Sequence, residues 1–177
     1  MKRLTLIRHA KSSHDHPAMP DFDRPLNTRG RCDAPAMGRH LDEMHDFLPD
    51  LVVSSPATRA ITTARMIAKE TALDAWAIRQ DERIYEAPLS ALAAVVRELP
   101  DRFQHVAIFG HNPGLESLTN WLCGCEAVTR LRTGGVVMLE LSVEQWSQAG
   151  NGTAVLRDYV FPAMIGAGKN AVPPEQP

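Results

Sequence analysis

The 177-residue sequence predicts an α/β protein: a three-layer α/β/α sandwich with a mostly parallel central sheet and helices on both faces. Two observations carry this expectation. Short apolar runs recur along the chain, separated by stretches whose apolar residues repeat at helical spacing. The early runs are also far enough apart to hold a helix between them, as parallel neighbours require.

Leu4–Ile7 reads as a buried strand, and His14 to Pro25 as a polar, proline-punctuated loop. From Asn27 or Thr28 to about His45 the pattern is helical, with Met37, Leu41 and Met44 three to four residues apart. Leu51–Ser54 is a second strand. Ser55-Pro56 reads as an N-cap followed by proline at the first helical position, opening a helix to about Thr71. Ala75–Ile84 has room for a short strand, and Leu89–Leu99 is helical. Val106–Phe109 is a third core strand. Asn112-Pro113 repeats the cap-then-proline signal and opens a helix through about Leu122. Val136–Leu141 and Ala154–Phe161 complete the strands. Residues 1–165 thus form one domain. Residues 166–177 hold three prolines, two glycines and no apolar period, and are expected to be a flexible tail.

Composition narrows the function classes. Hydrophobic residues make up 44%, as in soluble globular proteins. A net charge of −2 gives no electrostatic case for nucleic acid or an anionic membrane. Positive charge is mostly arginine, whose planar fork suits phosphate or carboxylate; the lysines are Lys2, Lys11, Lys69 and Lys169. The three cysteines, Cys32, Cys123 and Cys125, have no disulfide-framework spacing. No signal-type segment follows the first methionine and no apolar run reaches 18 residues. A cytoplasmic protein with reduced thiols is expected.

In open α/β sheets, ligands bind beyond the carboxyl ends of the strands. The first strand finishes in Arg8-His9. The second finishes in Ser54-Ser55-Pro56, with Arg59 one turn into the next helix. The third finishes in Gly110-His111-Asn112-Pro113-Gly114. Arginines and histidines therefore converge on one sheet edge, beside two helix N-termini. Such a pocket seeks anions, and phosphate suits it because arginine binds two of its oxygens at once. A neutral imidazole there is a natural nucleophile at phosphorus. A second imidazole can bind the equatorial oxygens, where charge resides during transfer. With side chains supplying the positive charge, no metal or other cofactor is expected.

Four segments carry a family resemblance. They are Leu6-Ile7-Arg8-His9-Ala10-Lys11-Ser12, Arg24-Pro25-Leu26-Asn27-Thr28-Arg29-Gly30, Ser54-Ser55-Pro56-Ala57-Thr58-Arg59-Ala60-Ile61-Thr62-Thr63-Ala64 and Gly110-His111-Asn112-Pro113. In this order they resemble the histidine phosphatase superfamily, the phosphoglycerate mutase-like group, and within it the short SixA-type phosphohistidine phosphatases. The resemblance runs from Leu4 to roughly Phe161. It implies that His9 is the phosphorylated nucleophile, that Arg8 and Arg59 clamp the phosphate, and that His111 is the second catalytic histidine. Ser12 falls at a serine of the broader motif. Asp15 falls where mutase-like members carry a phosphate-binding Asn, a departure that speaks against a mutase, since a carboxylate repels phosphate. Ile84-Tyr85-Glu86 resembles the stretch in which larger members place a general acid, which makes Glu86 a candidate for that role.

The implied activity is a metal-independent phosphatase working through a phosphohistidine intermediate, with phosphohistidine on a signalling or phosphotransfer protein as substrate. Imidazole is a weakly basic leaving group, with a conjugate-acid pKa of about 6.5, and departs with little help. The alternatives are a small-molecule phosphomonoesterase and a non-catalytic phosphate-binding module; retention of Arg8, His9, Arg59 and His111 speaks against the module. Ser12 and Asn112 are candidate phosphate contacts. Arg130 and Arg132 suit either the rim of the pocket or open surface. His14-Asp15-His16 lacks the closed ligand set of a metal site. Asp23 and Arg24 are expected to pair locally in the loop covering the pocket.

Overall fold

The computed structural model describes residues 1–15, 17–44, 47–71, 73–74 and 77–167. Six strands form one sheet: β1 (Lys2–Arg8), β2 (Leu51–Ser54), β3 (Arg79–Gln80), β4 (His105–Gly110), β5 (Val136–Leu141) and β6 (Ala154–Val160), in spatial order β3-β2-β4-β1-β5-β6. β3, β2, β4 and β1 are parallel neighbours, while β5 and β6 add antiparallel pairs at one side. Among the described residues four helices cover the faces: α1 (Thr28–Glu43), α2 (Thr58–Glu70), α3 (Leu89–Arg97) and α4 (Gly114–Cys123). The architecture is the mostly parallel three-layer sandwich that the sequence predicts.

Strand periodicity sorts the core. Leu4 and Leu6 of β1 join Val106 and Ile108 of β4 against Leu92 and Val96 of α3 and Leu115 and Leu118 of α4. Ile7, Ala107 and Phe109 point to the other face, against Met37 and Leu41 of α1 and Ile61 and Ile67 of α2. A sheet buried on both faces needs apolar residues at consecutive positions, so its strands read as apolar runs rather than alternating ones.

Both cap-then-proline expectations are corrected. α2 starts at Thr58, its N-cap is Ala57, and no side chain caps it. Just past the end of β2, Ser55 stays tied to the sheet: its N–H donates to the Phe109 carbonyl at 2.9 Å, and its hydroxyl serves the site below. The N-cap of α4 is Pro113, again without a side-chain cap. The Asn112 amide is committed elsewhere, donating to Glu116 and to the Leu131 carbonyl, 3.0 Å each. The expected strand within Ala75–Ile84 is only β3, followed by a 3-10 turn at Glu82–Ile84; Ala75 and Trp76 lie outside the described residues. Of the expected tail, 168–177 lie outside them too, whereas Ala167 donates its N–H to Pro162.

Candidate active site

Register places the strand ends together. Arg8 pairs with Gly110, and Ser54 with Phe109, so Arg8-His9, Ser54-Ser55 and Gly110-His111 leave three adjacent parallel strands at one edge. The backbone just beyond β1 is fixed from three sides. The His9 N–H donates to Gly110 at 3.1 Å, the Ala10 N–H to the Thr63 hydroxyl of α2 at 3.0 Å, and the Asn27 N–H to Lys11 at 3.0 Å. Asn27 in turn caps α1, its side-chain oxygen accepting from Gly30 at 2.9 Å. A side chain at Gly30 would collide with the Lys11 carbonyl, so the close approach of α1 to this loop requires glycine there.

His9 and His111 are both buried, with ring centroids 5.2 Å apart and planes tilted by 54°. His9 Nδ1 lies 2.7 Å from the Ala10 carbonyl, a group that only accepts. Nδ1 therefore carries the proton, and Nε2 presents a lone pair, 3.3 Å from the donating Nε of Arg59. Burial, joined by His111, Arg59 and Arg8 and opposed by the Ala10 hydrogen bond, pushes the His9 pKa down to about 3. Burial, then Arg59 and Arg8, take His111 down to about 4, against a pull from Asp21. Both rings are neutral near pH 7, the state an attacking imidazole requires. Nε2 of His111 lies 2.8 Å from the Ser55 hydroxyl.

The guanidinium of Arg59 is buried and anchored by Asp21, through its carbonyl and through Oδ2 at 2.8 Å. The Tyr85 hydroxyl donates to the same Oδ2 at 2.9 Å, and its ring stands edge-on to His111 at 5.5 Å. Burial pushes the Asp21 carboxyl up, but hydrogen bonds from Tyr85, Arg24 and Arg59 override it and hold the pKa down to about 2. Arg8 donates through Nη1 to the Leu131 carbonyl at 2.8 Å, while its buried Nε has no partner among the described residues.

A cavity of about 230 Å³ is bordered by Arg8, His9, Ser12, Arg24 and Arg59, among others. Of the residues singled out in the sequence, Arg8, His9, Arg59 and Ser12 thus meet there, with His111 against His9. Ser12 accepts from Arg24 at 2.7 Å. Asn112 turns away toward Glu116 and Leu131, and Glu86 is exposed, with φ at +47°. Asp15 is exposed and accepts from Ser13 at 2.6 Å. Arg24 pairs with Asp21 at 2.7 Å rather than with Asp23, because the 3-10 turn at Asp21–Asp23 brings positions three apart to one side. Among the described residues no three His, Cys, Asp or Glu side chains are grouped to hold a metal ion; His16 lies outside them. No described helix is long and apolar enough to cross a membrane.

Asp21, Tyr85 and Ser55 escaped the sequence reading. Asp21 and Tyr85 lie 64 residues apart in loops without local periodicity, and meet only through the fold. Ser55 carried a signal, a hydroxyl at a strand end, but its cap-like context pointed to a helix.

Residues 4–98 match the histidine phosphatase superfamily (branch 1), which is more than half of the chain. The chain belongs to the histidine phosphatase superfamily. The match stops short of His111, which the fold itself brings against His9. An uncharacterized chloroplastic protein of Arabidopsis thaliana is 28% identical over 161 residues, 84% of this chain and 70% of its own length. The structure of the protein histidine phosphatase SixA complexed with tungstate superposes with a TM-score of 0.78 at 20% identity, covering 92% of this chain and 99% of that one. A mycobacterial glucosyl-3-phosphoglycerate phosphatase superposes at 0.65 with 18% identity, covering 89% and 98%.

The histidines set a pH limit on this site. Above about pH 6.5 both imidazoles are neutral whether the chain is folded or unfolded. Below that, the unfolded chain takes up protons that the folded chain refuses until about pH 4 for His111 and about pH 3 for His9, so stability falls as pH falls through this window. Thermal unfolding at pH 7.5 and pH 4.5 is expected to show a lower midpoint at pH 4.5. Replacing both histidines with glutamine should flatten the difference; an unchanged pH dependence would show that the rings titrate normally.

Proposed function

We propose that this chain is a metal-independent phosphatase that passes a phosphoryl group through His9, with phosphohistidine on a protein as its substrate. Membership of the superfamily supports phosphatase activity. The observation that carries the mechanism is the tautomer of His9. Its proton is held at Nδ1 by Ala10, and its Nε2 lone pair stands beside Arg59.

In the first step Nε2 attacks phosphorus and the Nε2–P bond forms, while the bond from phosphorus to the substrate nitrogen breaks; the substrate ring, protonated at its other nitrogen, takes the electron pair and leaves as neutral imidazole. Arg8, Arg59 and His111 take the charge on the equatorial oxygens. In the second step water attacks phosphorus, the Nε2–P bond breaks, phosphate leaves with the water oxygen, and the water proton goes to solvent or to His111. Phosphohistidine fits because departing imidazole needs no strong acid, and Glu86 stands exposed without a hydrogen bond or ion pair among the described residues. Likeness of fold to a protein histidine phosphatase agrees with this choice.

The second reading is a small-molecule phosphomonoesterase. Its support is the likeness to a sugar-phosphoglycerate phosphatase and the position of Glu86 next to Tyr85, which touches His111. Rates measured side by side on a phosphohistidine protein and a panel of alkyl phosphates separate the two. The expected result is a higher kcat/KM on the phosphohistidine protein, with Glu86→Gln slowing alkyl phosphates more than phosphohistidine. Faster turnover of an alkyl phosphate would favour the second reading, and no turnover of either would favour the non-catalytic module.

A further inference from the structure

Beside the phosphoryl cavity lies a second one of about 280 Å³, and Arg8, Lys11 and Thr133 border both. Its walls add Arg29 from the first turn of α1, and Arg130 and Arg132 from the segment between α4 and β5. Five cationic side chains, Arg8, Lys11, Arg29, Arg130 and Arg132, thus face one carboxylate, Asp33, on a chain whose net charge is −2.

Asp33 does not neutralise them. It is buried, engages Arg29 at 3.3 Å, and leaves Oδ1 without a partner among the described residues. Burial, opposed by Arg29 and Lys11, pushes its carboxyl up, toward the neutral form. The cations also act on one another: burial and, against a pull from Glu116, the charge of Arg130 lower the Arg8 pKa.

The arginine segment is held in place. The Tyr159 hydroxyl accepts from the Arg132 N–H at 2.9 Å and donates to the Arg130 carbonyl at 2.8 Å. The Leu131 N–H donates to Glu116 at 2.8 Å, and the Arg132 guanidinium lies 5.2 Å over the ring of Phe161. A backbone held in this way lowers the freedom that its arginines lose on binding an anion.

We propose that this second compartment binds another anionic group, a carboxylate or a phosphate, carried by the same substrate close to its scissile phosphoryl group. The proposal deepens the phosphatase reading and rests on it. On a phosphohistidine protein the group would be an acidic side chain flanking the modified histidine; on a small molecule, a second phosphate.

Calorimetric titration with methylphosphonate and with 3-phosphonopropionate tests the compartment without turnover. The expected result is about tenfold tighter binding of 3-phosphonopropionate, weakening with salt. The advantage should fall below about threefold in the Arg130→Ala/Arg132→Ala double variant and reverse in Arg132→Glu. Equal affinities in the unaltered protein, or an advantage that survives both variants, would overturn the proposal. Turnover of 4-nitrophenyl phosphate, measured alongside, reads the phosphatase assignment separately. A protein that prefers 3-phosphonopropionate yet hydrolyses nothing would refute the catalytic reading and keep the compartment. Two further rate comparisons identify the source. A gain for phosphohistidine peptides with acidic over neutral flanks assigns the group to a protein. A gain for a hexose bisphosphate over its monophosphate assigns it to a small molecule, and, in a protein that turns over 4-nitrophenyl phosphate, a gain in neither overturns the proposal.

Discussion

Replacing His9 with alanine is expected to lower turnover by about 10⁴-fold or more and to abolish phosphoryl labelling of the protein. Of the two imidazoles at the site, His9 is the one whose free nitrogen is defined by its surroundings: Nδ1 is tied to Ala10, and Nε2 faces the Arg59 donor. His111 is placed differently. Its Nε2 is engaged with Ser55 and its Nδ1 is buried without a partner among the described residues. A neutral ring matters equally, since a pKa near 3 keeps the lone pair available throughout the physiological range. Labelling with a radioactive phosphoryl donor, followed by acid and alkali treatment, checks the prediction. Acid-labile, alkali-stable label that persists in His9→Ala would refute this nucleophile.

Arg59→Ala is expected to lower kcat/KM by about 10³-fold, at the upper end of what removing one transition-state donor does, because two effects add. The substitution removes a buried bidentate donor. It also frees the Asp21 carboxylate that Arg59 holds at 2.8 Å, leaving a negative charge beside an incoming phosphoryl group. Arg59 also helps to keep His9 unprotonated, so its loss should move the acid limb of the kcat/KM profile to higher pH. Arg59→Lys restores charge without the planar fork and is expected to recover less than about tenfold of the loss. Steady-state kinetics between pH 4 and 8 measure both effects. A loss under about tenfold with an unmoved acid limb would show that Arg59 does not face the reacting group.

The residues at the strand ends were legible for a simple reason. Parallel strands buried on both faces stand out as apolar runs, and parallel pairing brings their carboxyl ends to one edge. Arg8, His9 and His111 can therefore be placed together from the sequence alone. Arg59 followed from its place one turn into the next helix. What lay in loops could not be placed. Asp21 reaches Arg59 across 38 residues and Tyr85 across 64, and neither contact leaves a periodic trace. The two proline signals misled because neither Ser55 nor Asn112 caps its helix. Ser55 meets His111, and Asn112 shares the Leu131 carbonyl with Arg8, so it helps to position that guanidinium. The pairing of Arg24 was misassigned by two residues because a 3-10 turn, invisible in composition, chose Asp21 over Asp23.

A crystal structure with vanadate bound at neutral pH tests the central claim most directly. The account predicts vanadium bonded to Nε2 of His9, with its equatorial oxygens met by Arg8, Arg59 and His111. Vanadium bonded to His111, or an oxyanion settled away from an unligated His9, would contradict it.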